Sequence, residues 1–140
     1  MKHWLVRTII PAVLFFTACS NKPPESNEKK PRLVFHFELD STGNITDTIV
    51  KSQLSELAVR INANADRIAI YSYTQKMSNA EESVGLAKLR GDAAKEVMFK
   101  AAGERIYYNV GVEARGFENP VNVADPAAAA NRRIEIEYLQ

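Results

Sequence analysis

Few side chains in this sequence have the types and spacing that catalysis or metal binding requires. The chain has one cysteine, Cys19, and two histidines, His3 and His36, that lie far apart. A zinc site needs clustered Cys and His ligands, and a Ser/His/Asp hydrolase needs a histidine beside its nucleophile. Paired carboxylates, which could act as an acid and a base, occur only on the predicted helices, in patterns typical of solvent-exposed residues. We therefore expect no enzymatic activity, no metal and no cofactor, and no disulfide within the chain.

Arg90 has the type of side chain that binds carboxylates. It lies in a segment with helical periodicity, and no acidic residue stands three or four positions away to pair with it along that helix. A guanidinium can hold a carboxylate through two parallel hydrogen bonds. The sequence leaves open the alternative that Arg90 is an ordinary solvated helix residue.

Length and composition indicate a globular protein. The chain of 140 residues has room for one domain of about 100 residues and additional segments. Hydrophobic residues make up 46% and charged residues 25%, and the formal net charge is +1. Nucleic-acid binding usually requires a clear basic surplus, so no nucleic-acid partner is expected.

The first residues predict a secretory signal that ends at a lipidated cysteine. Residues 1–18 have a positive start and an apolar stretch shorter than the roughly 20 residues that span a membrane. The end of this stretch, Phe16-Thr17-Ala18-Cys19, resembles the bacterial lipobox, in which the signal is removed and the cysteine is lipidated. Ser20 stands where an inner-membrane retention signal has Asp, so the resemblance implies the outer membrane. A plain signal peptide followed by a free cysteine is the alternative.

The segment after Cys19 predicts a flexible tether. Residues 20–31 are polar or proline, so they bury little surface. About twelve residues reach at most ~40 Å. We expect residues 19–31 to hold a globular domain, residues 32–140, close to the periplasmic side of the outer membrane.

Residues 32–140 predict an α+β domain with the order β-α-β-α-β-β. Alternating or helical apolar periodicity predicts strands at 33–39, 67–73, 106–114 and 133–139, and helices at 47–62 and from residue 78 or 79 to 101. Gly103 is placed to end the second helix. Two crossover helices imply a four-stranded mixed sheet with both helices on one face.

Four segments of this domain resemble the motifs of OmpA-like domains. Residues 131–136 read Asn-Arg-Arg-Ile-Glu-Ile, similar to the closing Asn-Arg-Arg-(Val/Ile)-Glu-Ile motif of that family. Residues 86–91, 116–120 and 37–41 resemble its second-helix, loop and first-strand motifs in the same order. The resemblance covers the whole domain and implies the OmpA-like fold and non-covalent binding of peptidoglycan.

The resemblance also implies a site for the diaminopimelate of the peptidoglycan stem peptide. In the family an Asp, ending a Gly-His-Thr-Asp motif, and an Arg fifteen residues later grip this ligand. Here residues 72–75 read Ser-Tyr-Thr-Gln, and Arg90 lies fifteen positions after Gln75. The charge of the Asp is lost, and Ser83 replaces an Asn that shapes the pocket. The missing carboxylate could come from Asp40, or else from Glu81 or Glu82.

Other residues of the domain have structural explanations. Arg132 and Arg133 are expected to brace the sheet edge and loops. Four tyrosines could form an exposed aromatic surface, although cross-strand packing is the commoner role of strand tyrosines: Tyr71, Tyr73, Tyr107 and Tyr108.

The predicted function is thus an outer-membrane lipoprotein with an OmpA-like domain that tethers or docks to peptidoglycan with weakened or altered affinity. The alternative is a subunit of an envelope machine for secretion or motility. In that case the domain has lost wall binding and contacts other envelope proteins.

Overall fold

Helices pack on one face of a four-stranded sheet in the computed structural model, which describes residues 32–139. The expected signal, lipidated Cys19 and tether lie outside the described residues. The elements in chain order are β1 (Leu33–His36), α1 (Thr48–Asn64), β2 (Arg67–Tyr73), α2 (Ala80–Ala102), α3 (Arg105–Asn109), β3 (Val110–Gly116) and β4 (Arg133–Leu139).

The strand order is β1-β4-β2-β3. β2 and β3 pair in parallel, whereas β4 is antiparallel to both β1 and β2. The parallel pair is joined through the crossover helix α2, as the chain order requires. The predicted α+β architecture with a mixed sheet is confirmed.

Apolar residues at alternate positions of the strands pack against apolar residues of the helices and form one hydrophobic core. The sheet contributes residues from β2 and β4 that are fully buried, and α1 and α2 contribute residues at helical spacing. The fully buried members include Leu54, Leu57, Ile61, Ile68, Ile70, Ala94, Met98, Ile134 and Ile136.

Side-chain and glycine caps fix the ends of the two long helices. The Asp47 carboxylate accepts hydrogen bonds from the backbone N–H groups of Ile49 and Val50 and so begins α1. The Asn79 side chain accepts from the N–H of Glu82 at the start of α2. Gly103 ends α2 with a φ of 80°, as the sequence predicts.

Gly91 lets α2 lie close to the sheet. A Cβ at this position would stand 2.5 Å from Cγ1 of Val112 and 3.2 Å from Cβ of Ser72. The Ser72 hydroxyl donates a hydrogen bond of 2.6 Å to the carbonyl oxygen of Ala87, one turn earlier on the helix. These contacts fix α2 over β2 and β3, and therefore also fix the neighbouring Arg90.

The predicted start of the third strand is wrong. Residues 105–109 form the short helix α3, and the strand begins only at Val110. The apolar alternation of Ile106 and Tyr108 suggested a strand, but the N–H of Ile106 bonds to the carbonyl of Gly103 instead. Ile106 is fully buried, and Tyr107 packs on Phe99 with ring centroids 4.5 Å apart. Local turn bonds and this packing favour the helix.

The first strand is shorter than predicted. β1 ends at His36, and Leu39 forms only an isolated bridge with Ile45. The chain turns here because the Asp40 carboxylate accepts hydrogen bonds from the loop that follows. The turn brings the end of this segment next to α2.

Candidate functional site

A cleft of about 370 Å³ opens between the segment after β1 and the N-terminal half of α2. Its volume lies near the lower end of the roughly 300–1,000 Å³ that ligand pockets occupy. Two acidic and two basic side chains line it, so its formal charges balance. The lining residues are Glu38, Leu39, Asp40, Ser41, Gly43, Gln75, Leu86, Leu89, Arg90 and Arg132.

Arg90 is buried in this cleft without an acidic partner. Its side chain is fixed on α2, and the residue is only 2% exposed. One guanidinium nitrogen donates a long hydrogen bond of 3.4 Å to the carbonyl oxygen of Tyr73, whereas Nε has no hydrogen-bond partner. No salt bridge joins Arg90 to any carboxylate within residues 32–139. A buried cation left in this state is energetically costly.

The charged residues around Arg90 have opposite effects on its pKa. Burial lowers the pKa of Arg90, and the nearby Glu38 carboxylate partly offsets this effect, while Arg132 adds to it. The guanidinium also lies 5.8 Å from the centroid of the Phe37 ring. The electrostatics of the cleft thus favour an added anion beside Arg90.

Gln75 lies at the other wall of the cleft, just after β2. The Thr74 hydroxyl donates a hydrogen bond of 2.8 Å to Oε1 of Gln75. Thr74 is itself held by its N–H, which bonds to the carbonyl of Gly116. Among the described residues, the Gln75 amide nitrogen has no acceptor partner, so its two N–H groups are available to a ligand.

Asp40 lines the cleft with a carboxylate that its own loop holds in place. Its Oδ1 accepts from the Thr42 hydroxyl at 2.7 Å, the Thr42 N–H at 2.8 Å and the Asn44 N–H at 2.9 Å. The Thr42 hydroxyl is the largest of the influences that lower the pKa of Asp40. Asp40 therefore stays ionised and presents a negative charge at the rim.

Ser83 does not line this cleft. Its hydroxyl accepts from the N–H of Met77 and donates to the carbonyl of Asn79, both at 3.2 Å. These bonds anchor the loop before α2. Glu81 and Glu82 are exposed on the first turn of α2 and are also absent from the cleft lining. The structure thus brings together Gln75, Arg90 and Asp40 but places Ser83 outside.

Glu38 and Arg132 are cleft residues that sequence reasoning did not assign to the site. Nε of Arg132 donates to Oε1 of Glu38 at 2.7 Å, so the two close one end of the cleft as an ion pair. Arg132 was expected only to brace the structure. This ion pair could not be predicted from the sequence, because the two residues are 94 positions apart in the chain.

The four tyrosines do not form one surface. Tyr71 lies on the helix-free face of the sheet between two guanidinium groups, 4.3 Å from Arg32 and 5.5 Å from Arg115. Tyr73 packs under Arg133 at 4.0 Å. Tyr107 and Tyr108 belong to α3, at the opposite end of the β2–β3 pair.

The described segment offers neither a membrane span nor a metal cluster. Within residues 32–139, every helix is too short or too polar to cross a bilayer. The same residues contain no group of three or more His, Cys, Asp and Glu side chains that could hold a metal ion.

Comparison with solved structures identifies the fold. No protein-family profile and no curated protein sequence matches the chain. The structure resembles the peptidoglycan-associated lipoprotein of Burkholderia pseudomallei at a TM-score of 0.63 and 20% identity, covering 78% of this chain and 91% of that one. It resembles the OmpA-like domain of FopA1 from Francisella tularensis at a TM-score of 0.62 and 12% identity, covering 78% and 75%.

A third similar structure is the periplasmic domain of Helicobacter pylori MotB, with a TM-score of 0.60 and 15% identity, covering 76% of this chain and 74% of that one. Each of these structures superimposes on about three quarters of this chain at a TM-score of 0.60 or more. The described residues therefore have the OmpA-like fold.

Proposed function

We propose that this protein is an outer-membrane lipoprotein whose periplasmic domain binds the stem peptide of peptidoglycan through the cleft at Arg90. The observation that carries the proposal is the buried Arg90 guanidinium, which has an unpartnered Nε and no carboxylate bonded to it within residues 32–139. Retaining such a cation costs stability unless a ligand pairs with it. A carboxylate of diaminopimelate has the charge and the planar shape that a guanidinium fork binds.

The neutral Gln75 weakens this binding relative to an aspartate at the same place. Hydrogen bonds to charged groups contribute about 1.5–3 kcal/mol, against about 1 kcal/mol for neutral ones. The substitution thus costs roughly tenfold in affinity for a ligand with a free ammonium. Asp40 lines the same cleft and supplies a negative charge at the rim. We therefore assign Arg90, Gln75 and Asp40 to ligand binding and give Ser83 a supporting role in the adjacent loop.

Anchoring through Cys19 gives this weak site a high local concentration of its ligand. Acyl chains on the cysteine would hold the chain in the outer membrane, since each buried methylene contributes about 0.8 kcal/mol. A short tether then keeps the domain beside the cell wall, so that a modest affinity suffices.

Retention on purified sacculi tests the proposal. The full chain in detergent is sedimented with sacculi at low salt, together with Arg90→Ala and Arg60→Ala. Arg60 is an exposed arginine of α1 away from the cleft, so its replacement removes the same charge without touching the site. We expect wild type and Arg60→Ala to sediment with the wall and Arg90→Ala to stay in solution. No retention of wild type, or equal retention of all three, would contradict the proposal.

A protein-docking role in an envelope machine is the second candidate. The helix-free face of the sheet favours this role, because it carries the Tyr71 ring between the guanidinium groups of Arg32 and Arg115. Aromatic and arginine side chains are enriched at protein interfaces. A photocrosslinking amino acid in place of Tyr71 would capture the partner in cells, and failure to recover any protein partner would count against this role.

A further inference from the structure

The hydrogen-bonding groups of the cleft favour a carboxylate whose neighbouring nitrogen is acylated. We propose that the cleft selects peptides in which the amine beside the bound carboxylate is already an amide, as in a cross-linked wall peptide. Peptides in which that amine is a free ammonium bind less well. This inference rests on the proposed function and specifies the ligand of the same site.

The first observation is the direction of the hydrogen bonds at Gln75. Its Oε1 already accepts from the Thr74 hydroxyl at 2.8 Å, whereas its amide nitrogen has two N–H donors without an acceptor among the described residues. An ammonium carries only donors, so it leaves both of these N–H groups unpaired. The carbonyl oxygen of an acylated amine accepts from the Gln75 amide and completes the pair.

The second observation is that one oxygen of each carboxylate in the cleft is already bonded within the protein. Oε1 of Glu38 is paired with Arg132 at 2.7 Å. Oδ1 of Asp40 accepts three hydrogen bonds from Thr42 and Asn44 in its own loop. Arg90 is the buried cation of the cleft that has an unused donor. A ligand with an acylated nitrogen beside its carboxylate therefore satisfies unused donors of both Arg90 and Gln75, which a ligand with a free ammonium at that place does not.

The third observation is that the cleft continues into a groove that can receive the acyl branch. The groove has a volume of about 960 Å³ and runs between the loop after β1, α1 and the C-terminal half of α2. It shares Asp40, Gly43 and Leu89 with the cleft, so a chain attached to the bound amide enters it directly. Lys51 lines the groove, has no salt bridge among residues 32–139 and suits the terminal carboxylate of a peptide branch.

Titration with two small ligands tests the selectivity. The full chain in detergent is titrated by calorimetry with diaminopimelate and with its mono-N-acetyl derivative. We expect the acetylated ligand to bind about fivefold more tightly, the difference that one satisfied hydrogen bond between neutral groups makes. Equal or tighter binding of the free diaminopimelate would overturn the inference and leave the proposed function standing. Binding of neither ligand, together with no retention on sacculi, would overturn both.

Charge substitutions assign the selectivity to Gln75. Gln75→Asp and the longer Gln75→Glu should both reverse the preference, because a carboxylate accepts from an ammonium and has no N–H to donate to the carbonyl of the acylated ligand. Gln53→Asp makes the same charge change at an exposed position of α1 outside the cleft and should leave the preference unchanged. An unchanged preference in both Gln75 variants, or a reversal in Gln53→Asp, would overturn the assignment.

Discussion

At the scale of single residues, the domain contains two buried arginines with opposite surroundings. Arg133 donates to Oε1 of Glu135 at 2.8 Å and to the carbonyl of Asn119 at 3.1 Å, and it covers the Tyr73 ring. Arg90 makes one long hydrogen bond and no salt bridge within the described residues. Arg133 thus has a carboxylate partner within the fold, whereas Arg90 has none among the described residues.

This contrast predicts opposite effects on stability when each arginine becomes methionine. Arg90→Met removes an uncompensated buried charge, so the free energy of unfolding should stay the same or rise by about 1–2 kcal/mol. Arg133→Met removes one of the two arginine partners of Glu135 and should lower the free energy of unfolding by about 1.5–3 kcal/mol. Urea denaturation of the full chain measures both. A loss above 2 kcal/mol in Arg90→Met would show that Arg90 is a structural residue.

Glu135 predicts how stability depends on pH. Burial raises its pKa, but hydrogen bonds from Arg32 and Arg133 outweigh burial and hold the pKa below the usual range of a glutamate. The contribution of the Glu135 carboxylate to the free energy of unfolding is therefore complete above the pKa that Glu135 has in the unfolded chain. It is lost as the pH falls through the lower pKa of the folded protein. Glu135→Gln should lower the free energy of unfolding at pH 7. It should also reduce the loss of stability that the wild-type protein shows as the pH decreases below about 4.5. Equal acid dependence of both proteins would contradict this assignment.

Part of the cleft could be predicted from the sequence. The resemblance to the OmpA-like motif, in which two ligand-binding residues are fifteen positions apart, identified Gln75 and Arg90, and the structure places both in one cleft. Glu38 and Arg132 could not be found in this way, because their ion pair depends on how β1 and β4 meet in the sheet. Ser83 was assigned by alignment alone, and its hydroxyl bonds to its own loop.

At the scale of elements, the position of α2 sets the geometry of the cleft. The helix lies against β2 and β3 where Gly91 leaves room for Val112, and the Ser72 hydroxyl bonds to the helix backbone. Arg90 immediately precedes this contact. A change in the distance between helix and sheet therefore moves the guanidinium relative to Gln75.

Two glycines of α2 test this arrangement. Gly91→Ala places a Cβ against Val112 and Ser72 and should lower the free energy of unfolding by about 1–3 kcal/mol. It should also reduce retention on sacculi. Gly85→Ala has no neighbour within 4 Å and should raise stability by about 0.5–1 kcal/mol with retention unchanged. Equal effects of the two substitutions would contradict the close approach of α2.

Elements with a single strong pattern were predicted well, and elements with competing patterns were not. β2 and the last strand, β4, have the predicted bounds because their alternation coincides with burial on one face. The segment 105–109 also alternates, but the turn bonds after Gly103 and the packing of Tyr107 on Phe99 make it helical. Periodicity over so few residues does not distinguish the two structures.

At the scale of the whole molecule, the proposal couples a lipid anchor to a weak wall-binding domain. The OmpA-like fold supplies the cleft, and Cys19 with the following tether would hold that cleft near the wall. In this proposal the cleft alone does not hold the domain on the wall, because one buried arginine with a neutral partner gives only modest affinity. Proximity compensates for the missing carboxylate.

Cys19→Ser tests the anchor separately from the cleft. The serine variant lacks the thiol that would be acylated, so we expect the protein to move from the outer-membrane fraction to the soluble periplasmic fraction. Mass spectrometry of the wild-type N-terminus should show the added acyl groups. Arg90→Ala serves as the control and should stay in the membrane fraction. A membrane-bound Cys19→Ser variant would contradict lipid anchoring.

The most direct test of the central claim is the side-chain ¹⁵N–¹H resonance of Nε in Arg90 during titration with a diaminopimelate-containing stem peptide. This N–H has no partner in the structure, so a carboxylate bound to the guanidinium should shift its resonance. Nε of Arg133 already donates to Glu135 and should not change. A shift confined to Arg90 is the result we predict. An unchanged Arg90 resonance at saturating peptide, or equal shifts at both arginines, would contradict binding in this cleft.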